Sequence, residues 1–199
     1  MQIEIFLALL GFAAVTLVTP GPNNMMLMAS GTNFGYRRTV PHLLGISIGF
    51  GTMVFLVGMG LMTLFEQAPV LQTVLKIVAI AYLSYLAWKI AHAAPPEARQ
   101  ASATGRPFSF LQAAAFQWVN PKGWTMALTS IAAFAPDRSL LAVLVISVVF
   151  LVVNLPSGSF WMILGQQVRR LLTHPGRLRA FNLTMAVLLM ASLIPVLFA

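Results

Sequence analysis

Six long apolar stretches, parted by short polar breaks, run the length of the chain. They cover roughly residues 4–34, 41–64, 70–91, 108–135, 139–165 and 181–198. Several are about 20 residues long with almost no charge, enough to cross a hydrocarbon core of about 30 Å as an α-helix. The breaks are Gly35-Tyr36-Arg37-Arg38, Glu66-Gln67-Ala68-Pro69, a loop over 92–107 with Pro95-Pro96, Pro136-Asp137-Arg138, and a basic stretch from Arg169 to Arg179. The pattern predicts an all-α integral membrane protein of six transmembrane helices in a single domain, 1–199. Its halves, 1–91 and 108–199, are joined by the loop 92–107. Three spans in each half make the second half enter the membrane from the opposite side, the condition for two inverted three-helix repeats.

Two stretches are interrupted. A continuous helix over 4–34 would be about 46 Å long at 1.5 Å per residue. Thr19-Pro20-Gly21-Pro22-Asn23-Asn24 lies in its middle. Neither Pro20 nor Pro22 has a backbone N–H, so a helix through them would orphan the carbonyls of Thr16 and Val18. Gly21 loosens the backbone between them. In hydrocarbon an unpaired carbonyl costs several kcal/mol, so such a break persists only where protein groups, water or a solute replace the lost bonds. Asn23 and Asn24 place amides beside it. The stretch 108–135 carries the counterpart. Pro121 frees the carbonyl of Gln117, and Gln117, Asn120 and Lys122 surround it with polar groups. Lys122 is the clearest charge deep in any stretch, at a cost of about 2.5–3.5 kcal/mol on translocon scales. It is expected to face the bundle interior or a wet cavity, where it can meet a solute carboxylate or pair with freed carbonyls in a structural role. Helices 1 and 4 are thus predicted to be broken and to line a passage. Asn154-Leu155-Pro156-Ser157-Gly158 makes a third break, read first as a kink with helix–helix hydrogen bonds, with Asn154 a candidate for the solute path.

Composition narrows the function classes. The 199 residues are 59% hydrophobic and 8% charged, with a mean hydropathy of +0.86, too little charge for a soluble domain. A net charge of +8 would suggest nucleic acid in a soluble protein. Here nine of the twelve basic residues fall in the first, third and fifth loops: Arg37, Arg38, Lys89, Arg99, Arg106, Arg169, Arg170, Arg177 and Arg179. Basic residues gather in cytoplasmic loops, so these loops are expected inside, both termini outside, and no nucleic-acid partner. Glu4 and the absence of a basic n-region or Ala-x-Ala context argue that the first stretch is kept as a span rather than cleaved. There is no cysteine, and the four acids, Glu4, Glu66, Glu97 and Asp137, lie at termini or loops. No mid-span carboxylate is available as a proton relay. His42, His92 and His174 lie on the basic side, and only His42 is close enough to a span to handle protons. An enzyme would need a nucleophile–base pair or metal cluster within the spans. No catalytic residue, cofactor or metal is expected.

Gly45 and Gly49 have the spacing that lets membrane helices approach closely, and Gly58-Met59-Gly60 extends the small-residue pattern. Such faces suit contacts within one chain or between copies in a homo-oligomer. Tyr82, Tyr85 and Lys89 share a helix face at i, i+3 and i+7. Trp88 and Lys89 read as an interfacial anchor, and the deeper Tyr82 as packing or a lining residue of the path.

Thr-Pro-Gly-Pro-Asn at 19–23, the glycine-rich second stretch, Ala-Tyr-Leu-x-x-Leu-Ala-Trp-Lys at 81–89 and Asn-Pro-Lys at 120–122 together resemble the LysE/RhtB family of amino-acid exporters over nearly the whole chain. The doubled Asn23-Asn24 looks like the branch containing cysteine/O-acetylserine exporters. The resemblance implies the bacterial inner membrane, efflux of amino acids or related metabolites, and coupling to the proton motive force, with protons as the coupling ion. Family members often carry Asp where Asn23 stands, so a carboxylate-based coupling step does not carry over.

The expected function is a secondary transporter that exports a small amino acid by alternating access. Its substrate-binding residues would be Pro20, Gly21, Pro22, Asn23, Asn24, Tyr82, Gln117, Asn120, Pro121, Lys122 and Asn154. A passive channel for small polar solutes is the alternative, because polar breaks also line pores.

Overall fold

The computed structural model describes residues 2–61, 69–93, 106–172 and 174–194, and among them the chain is helical throughout, with no strand. The helices are α1 (Ile3–Val18), α2 (Pro22–Phe34), α3 (Tyr36–Leu56, followed by the kinked segment Val57–Leu61, where Gly60 takes φ 101), α4 (Pro69–Ala91), α5 (Phe110–Gln117), α6 (Pro121–Phe134), α7 (Leu140–Leu171) and α8 (Pro175–Ala191).

Both expected interruptions are present. α1 and α2 meet at 55°, and α5 and α6 are parted at Trp118, Val119 and Asn120. In each case a proline sits at the first turn of the new helix, Pro22 in α2 and Pro121 in α6. There its missing N–H costs nothing and its fixed φ favours helix. Three helices are long and apolar enough to cross a membrane alone, Tyr36–Leu61, Thr73–Ala91 and Leu140–Leu171, and the bent α1–α2 pair is a candidate fourth. At 8 and 14 residues, α5 and α6 are each too short to cross a core of about 30 Å alone, and α8, with 17 residues, stands at the lower limit. By length and composition the described residues hold three candidate spans, or four with the bent pair.

Several boundaries depart from expectation. The break after the first stretch is Gly35 alone, at φ 77, a left-handed value that glycine adopts without strain. Helix α3 begins at once, so Arg37 and Arg38 form its first turn rather than a loop. Helix α8 likewise starts at Pro175 and takes in Arg177 and Arg179, while 195–199 lie outside the described residues. The expected interruption at Pro156 is not a helix end, because α7 runs through it for 32 residues. One proline removes one bond, and Pro156 does so on an exposed side of the helix. Glu66-Gln67-Ala68 and the loop centre with Pro95-Pro96 lie outside the described residues.

Apolar side chains face outward on every long helix, among them Leu7, Ile48, Ile77, Val148 and Val187. The polar ones turn inward: Asn24, Ser30, His42, Gln117, Asn120, Asn154 and Asn182 are buried. This inversion suits lipid outside and a polar interior. Helix α2 is the central element, buried along most of its length. It crosses α7 where Gly31 faces the backbone of Met162 and Gly165 faces that of Met28. The Thr32 hydroxyl donates to the Gly165 carbonyl at 2.8 Å. Gly45 and Gly49 bring α3 against Phe110 and Ala114 of α5, so the small-residue face serves contacts within the chain. A Gly165→Val change places carbon onto the α2 backbone, which cannot yield as a side chain would. We expect it to destabilise the fold by at least about 2 kcal/mol, seen as lost monodisperse protein in detergent and a lowered Tm.

Among the described residues, eight of the eleven basic ones, Arg37, Arg38, Lys89, Arg106, Arg169, Arg170, Arg177 and Arg179, sit around the α2–α3, α4–α5 and α7–α8 junctions. There Asn33 and Asn182 exchange amide hydrogen bonds at 2.7 and 3.2 Å, and Asn182 also donates to the Ala93 carbonyl. These bonds tie α2, α8 and the end of α4 together. Phe12, Phe50, Phe134 and Phe150 form an aromatic cluster in the other half of the bundle.

Candidate functional site between the broken helices

Where α1 stops, its last carbonyls need new donors. The Val15 carbonyl takes the Thr19 N–H at 3.2 Å, and the Thr16 carbonyl takes the Thr19 hydroxyl at 2.9 Å. The Asn24 amide donates to both the Leu17 and Thr19 carbonyls at 2.7 and 2.8 Å. The Val18 carbonyl takes the Trp161 indole N–H at 3.2 Å. Both carbonyls that the prolines orphan, Thr16 and Val18, are thus satisfied, one locally and one from α7. At the second break the Gln117 carbonyl accepts from the Asn120 N–H at 3.3 Å, and Trp118 accepts from the Trp124 indole at 2.9 Å. Changing Asn24 to alanine removes two of these bonds, and the Leu17 carbonyl keeps no other side-chain donor. We expect a loss of about 1–3 kcal/mol per unsatisfied carbonyl, read as a lower Tm of purified protein, whereas Asn23→Ala costs less because its partner Gln117 keeps the Ala113 carbonyl at 2.9 Å.

The two breaks meet. Lys122, on the first turn of α6, donates to the Thr19 carbonyl at 2.8 Å, the Thr19 hydroxyl at 2.9 Å and the Pro20 carbonyl at 3.4 Å. Next to it Asn23 and Gln117 exchange amide hydrogen bonds at 2.9 and 3.0 Å. Gly21 lies flat against the lysine: a Cβ there would sit 2.7 Å from Lys122 Cδ. Its φ of −177 is extended backbone, so close approach, not torsion, makes glycine fit.

A cleft opens between these groups, lined by Gly21, Asn23, Asn24, Asn120, Lys122 and Asn154, with Thr16, Phe50 and Met126 also on its walls. It measures about 310 Å³ with its mouth included, and its narrow floor has room for a water or so. Asn120 Oδ1 and Asn154 Nδ2 are buried there without a hydrogen-bond partner. One is an acceptor and the other a donor, and a buried polar atom without a partner is costly. The helix–helix bonds expected of Asn154 and Ser157 are therefore not made by Asn154 Nδ2 or Ser157 Oγ. The first turns of α2 and α6 add N–H groups that no helical carbonyl satisfies, with the positive ends of two helix dipoles.

Pro20, Pro22 and Pro121 shape the breaks, and Gln117 adjoins the cleft through Asn23. Tyr82 does not line it. Its hydroxyl donates to the Gln112 carbonyl at 2.8 Å and its ring lies against Tyr85, fastening α4 to α5. Trp161 and Phe50 are participants that the sequence reading passed over. They are ordinary apolar-helix residues, distant in sequence from the breaks they complete.

The LysE type translocator family model matches residues 14–194. The chain belongs to the LysE type translocator family. That family is one of transporters, not enzymes. This translocator is 28% identical over 180 residues to the cysteine/O-acetylserine efflux protein of Salmonella choleraesuis (strain SC-B67). It is 29% identical to the protein of the same name from Escherichia coli (strain K12), the alignments covering 89% of this chain and 90% of each relative. No solved structure matches the translocator.

Proposed function

We propose that the chain is a secondary exporter of a small zwitterionic amino acid or related metabolite, such as O-acetylserine or cysteine. It would act in the bacterial inner membrane by alternating access, driven by the proton motive force. The cleft between the broken helices is the binding site in this reading. The observation that carries it is the convergence of Lys122 with two half-helix starts beside an unpaired acceptor and an unpaired donor. A solute carboxylate takes the Lys122 ammonium, the Asn154 amide and the free N–H groups of α2 and α6. The solute amino group takes Asn120 Oδ1 and the Thr19 and Pro20 carbonyls as Lys122 leaves them. The cleft is too narrow for an amino acid as it stands, so loading requires the walls to part.

The six-span inverted repeat is part of this proposal. The same order recurs in each half: short helix, break, short helix with proline in its first turn, long helix, closing helix. The packing recurs too, with α1 on α7 and α5 on α3. The gathering of arginines at the α2–α3, α4–α5 and α7–α8 junctions supports a cytoplasmic basic face with both termini outside. Efflux tests the function. Cells preloaded with O-acetyl-L-serine should export it against a gradient, and an uncoupler should stop this. Flux that only follows the gradient would instead identify a passive channel, and no flux above the deletion strain would refute transport of this solute.

A further inference from the structure

A second, larger cleft lies at the basic end. It measures about 690 Å³ with its mouth included, and Ser30, Asn33, Lys89, His92, Arg106 and Phe108 are on its walls. We propose that it is a loading site that captures the carboxylate of the solute before the solute reaches the central cleft. The proposal rests on the export reading for its direction, since an exported solute would arrive from the basic, cytoplasmic end.

Three features carry it. The first is charge. Lys89 is half-buried, yet its ammonium is held by the Gln112 side-chain carbonyl at 3.2 Å and by the face of Phe108 at 4.4 Å. No carboxylate is on the cleft wall among the described residues. With Arg106 on the same wall, the cleft is a cationic concavity with apolar backing, which concentrates anionic groups. The second is size, since it is more than twice the central cleft as a whole. The third is continuity. Helix α2 lines both clefts, with Asn23 and Asn24 facing the central one and Ser30 and Asn33 the inner one. Asn23 and Ser30 are seven residues apart, about 10 Å along the helix, on one face. Between α2 and α3 stands His42, fully buried, its Nδ1 at 3.1 Å from the Ser30 hydroxyl and its ring edge-on to Phe108 at 5.1 Å. Its Nε2 has no partner. Ser30 and Phe108 are therefore wall residues of the inner cleft backed by a polar group rather than by lipid. A small zwitterion fits this lining: its carboxylate meets Lys89 and Arg106, and its amino group meets the Ser30 hydroxyl. A cationic solute is repelled.

The absence of native cysteine allows a direct test on the full chain in nanodiscs of phosphatidylcholine alone. Ala93→Cys puts one thiol on the cleft wall. Anionic and cationic methanethiosulfonates are compared there, each normalised to its reaction with a free thiol. The anionic reagent should react about tenfold faster. Lys89→Gln with Arg106→Gln should bring the two rates within about twofold, while Lys89→Arg with Arg106→Lys keeps the preference. O-acetyl-L-serine should slow labelling and its methyl ester should not, including in a Lys122→Gln background. Equal rates in the parent, a preference indifferent to the two cations, or equal protection by the ester would overturn the proposal. So would protection that disappears with Lys122→Gln, which would locate the solute in the central cleft alone and leave the export reading standing. Protection that persists in a chain without efflux would uphold the cleft and refute the export reading.

Discussion

Replacing Lys122 with glutamine should lower export at least about tenfold while the protein still reaches the membrane at normal levels. The size follows from the bonds. Lys122 makes charge-assisted contacts to Thr19 and Pro20, and a hydrogen bond to a charged group is worth about 1.5–3 kcal/mol. A solute carboxylate that takes this ammonium loses a bond of that class, and 1.4 kcal/mol is a factor of ten in binding. The fold tolerates the change because the Thr19 carbonyl keeps the Asn24 amide. Arginine should not rescue. Gly21 is already in contact with the lysine stem, and the planar guanidinium is larger and differently aimed than an ammonium. Initial efflux rates, normalised to protein in the membrane, measure it. Undiminished export would remove Lys122 from the binding site and leave it as a structural tie between the two breaks.

Gly21→Ala should cost export nearly as much, for a different reason. The backbone there is extended, so alanine adopts it without strain. Its Cβ meets Lys122 at 2.7 Å from Cδ and 3.1 Å from Nζ, and the lysine is flexible enough to move. The protein should therefore fold, with the ammonium pushed off the Thr19 and Pro20 carbonyls, and export should fall about tenfold for the bond displaced. Both changes act on one interaction, so they should not add. The double variant should match Lys122→Gln alone. Additive losses would mean that Gly21 serves the site independently of the lysine.

How far the sequence foretold this depends on how local each feature is. The breaks are local, and their prolines announce them. What the prolines do is less obvious: Pro22 and Pro121 start helices, whereas Pro156 lets one pass. The difference lies in number and setting. Pro20-Gly21-Pro22 removes two donors in three residues, and Asn120 before Pro121 takes extended backbone as an N-cap. Pro156 stands alone within a 32-residue helix. The need for donors at the first break was legible, but the donor to Val18, Trp161, lies 143 residues away and is marked by no local signal. Asn23 and Gln117 were both candidates for solute contact, and each proves to be the other's partner. Their pairing depends on how α2 meets α5, which no spacing encodes. Tyr82 shared a face with Lys89 as expected, but that face looks to α5. Span length was least legible at α5 and α6, where one hydropathy run covers two helices parted at Trp118, Val119 and Asn120. Arg37 and Arg38 read as loop because charge marks loops, yet they cap the basic end from inside a helix.

Because the chain has no native cysteine, Thr16→Cys places one reporter thiol on the wall of the central cleft. The rate at which it is labelled in purified protein, with and without O-acetyl-L-serine, tests the assignment most directly. The solute should protect the thiol, its methyl ester should not, and Lys122→Gln should abolish the protection while the unprotected rate stays measurable. Protection that the ester matches, or that survives without Lys122, would contradict a carboxylate bound between the two broken helices.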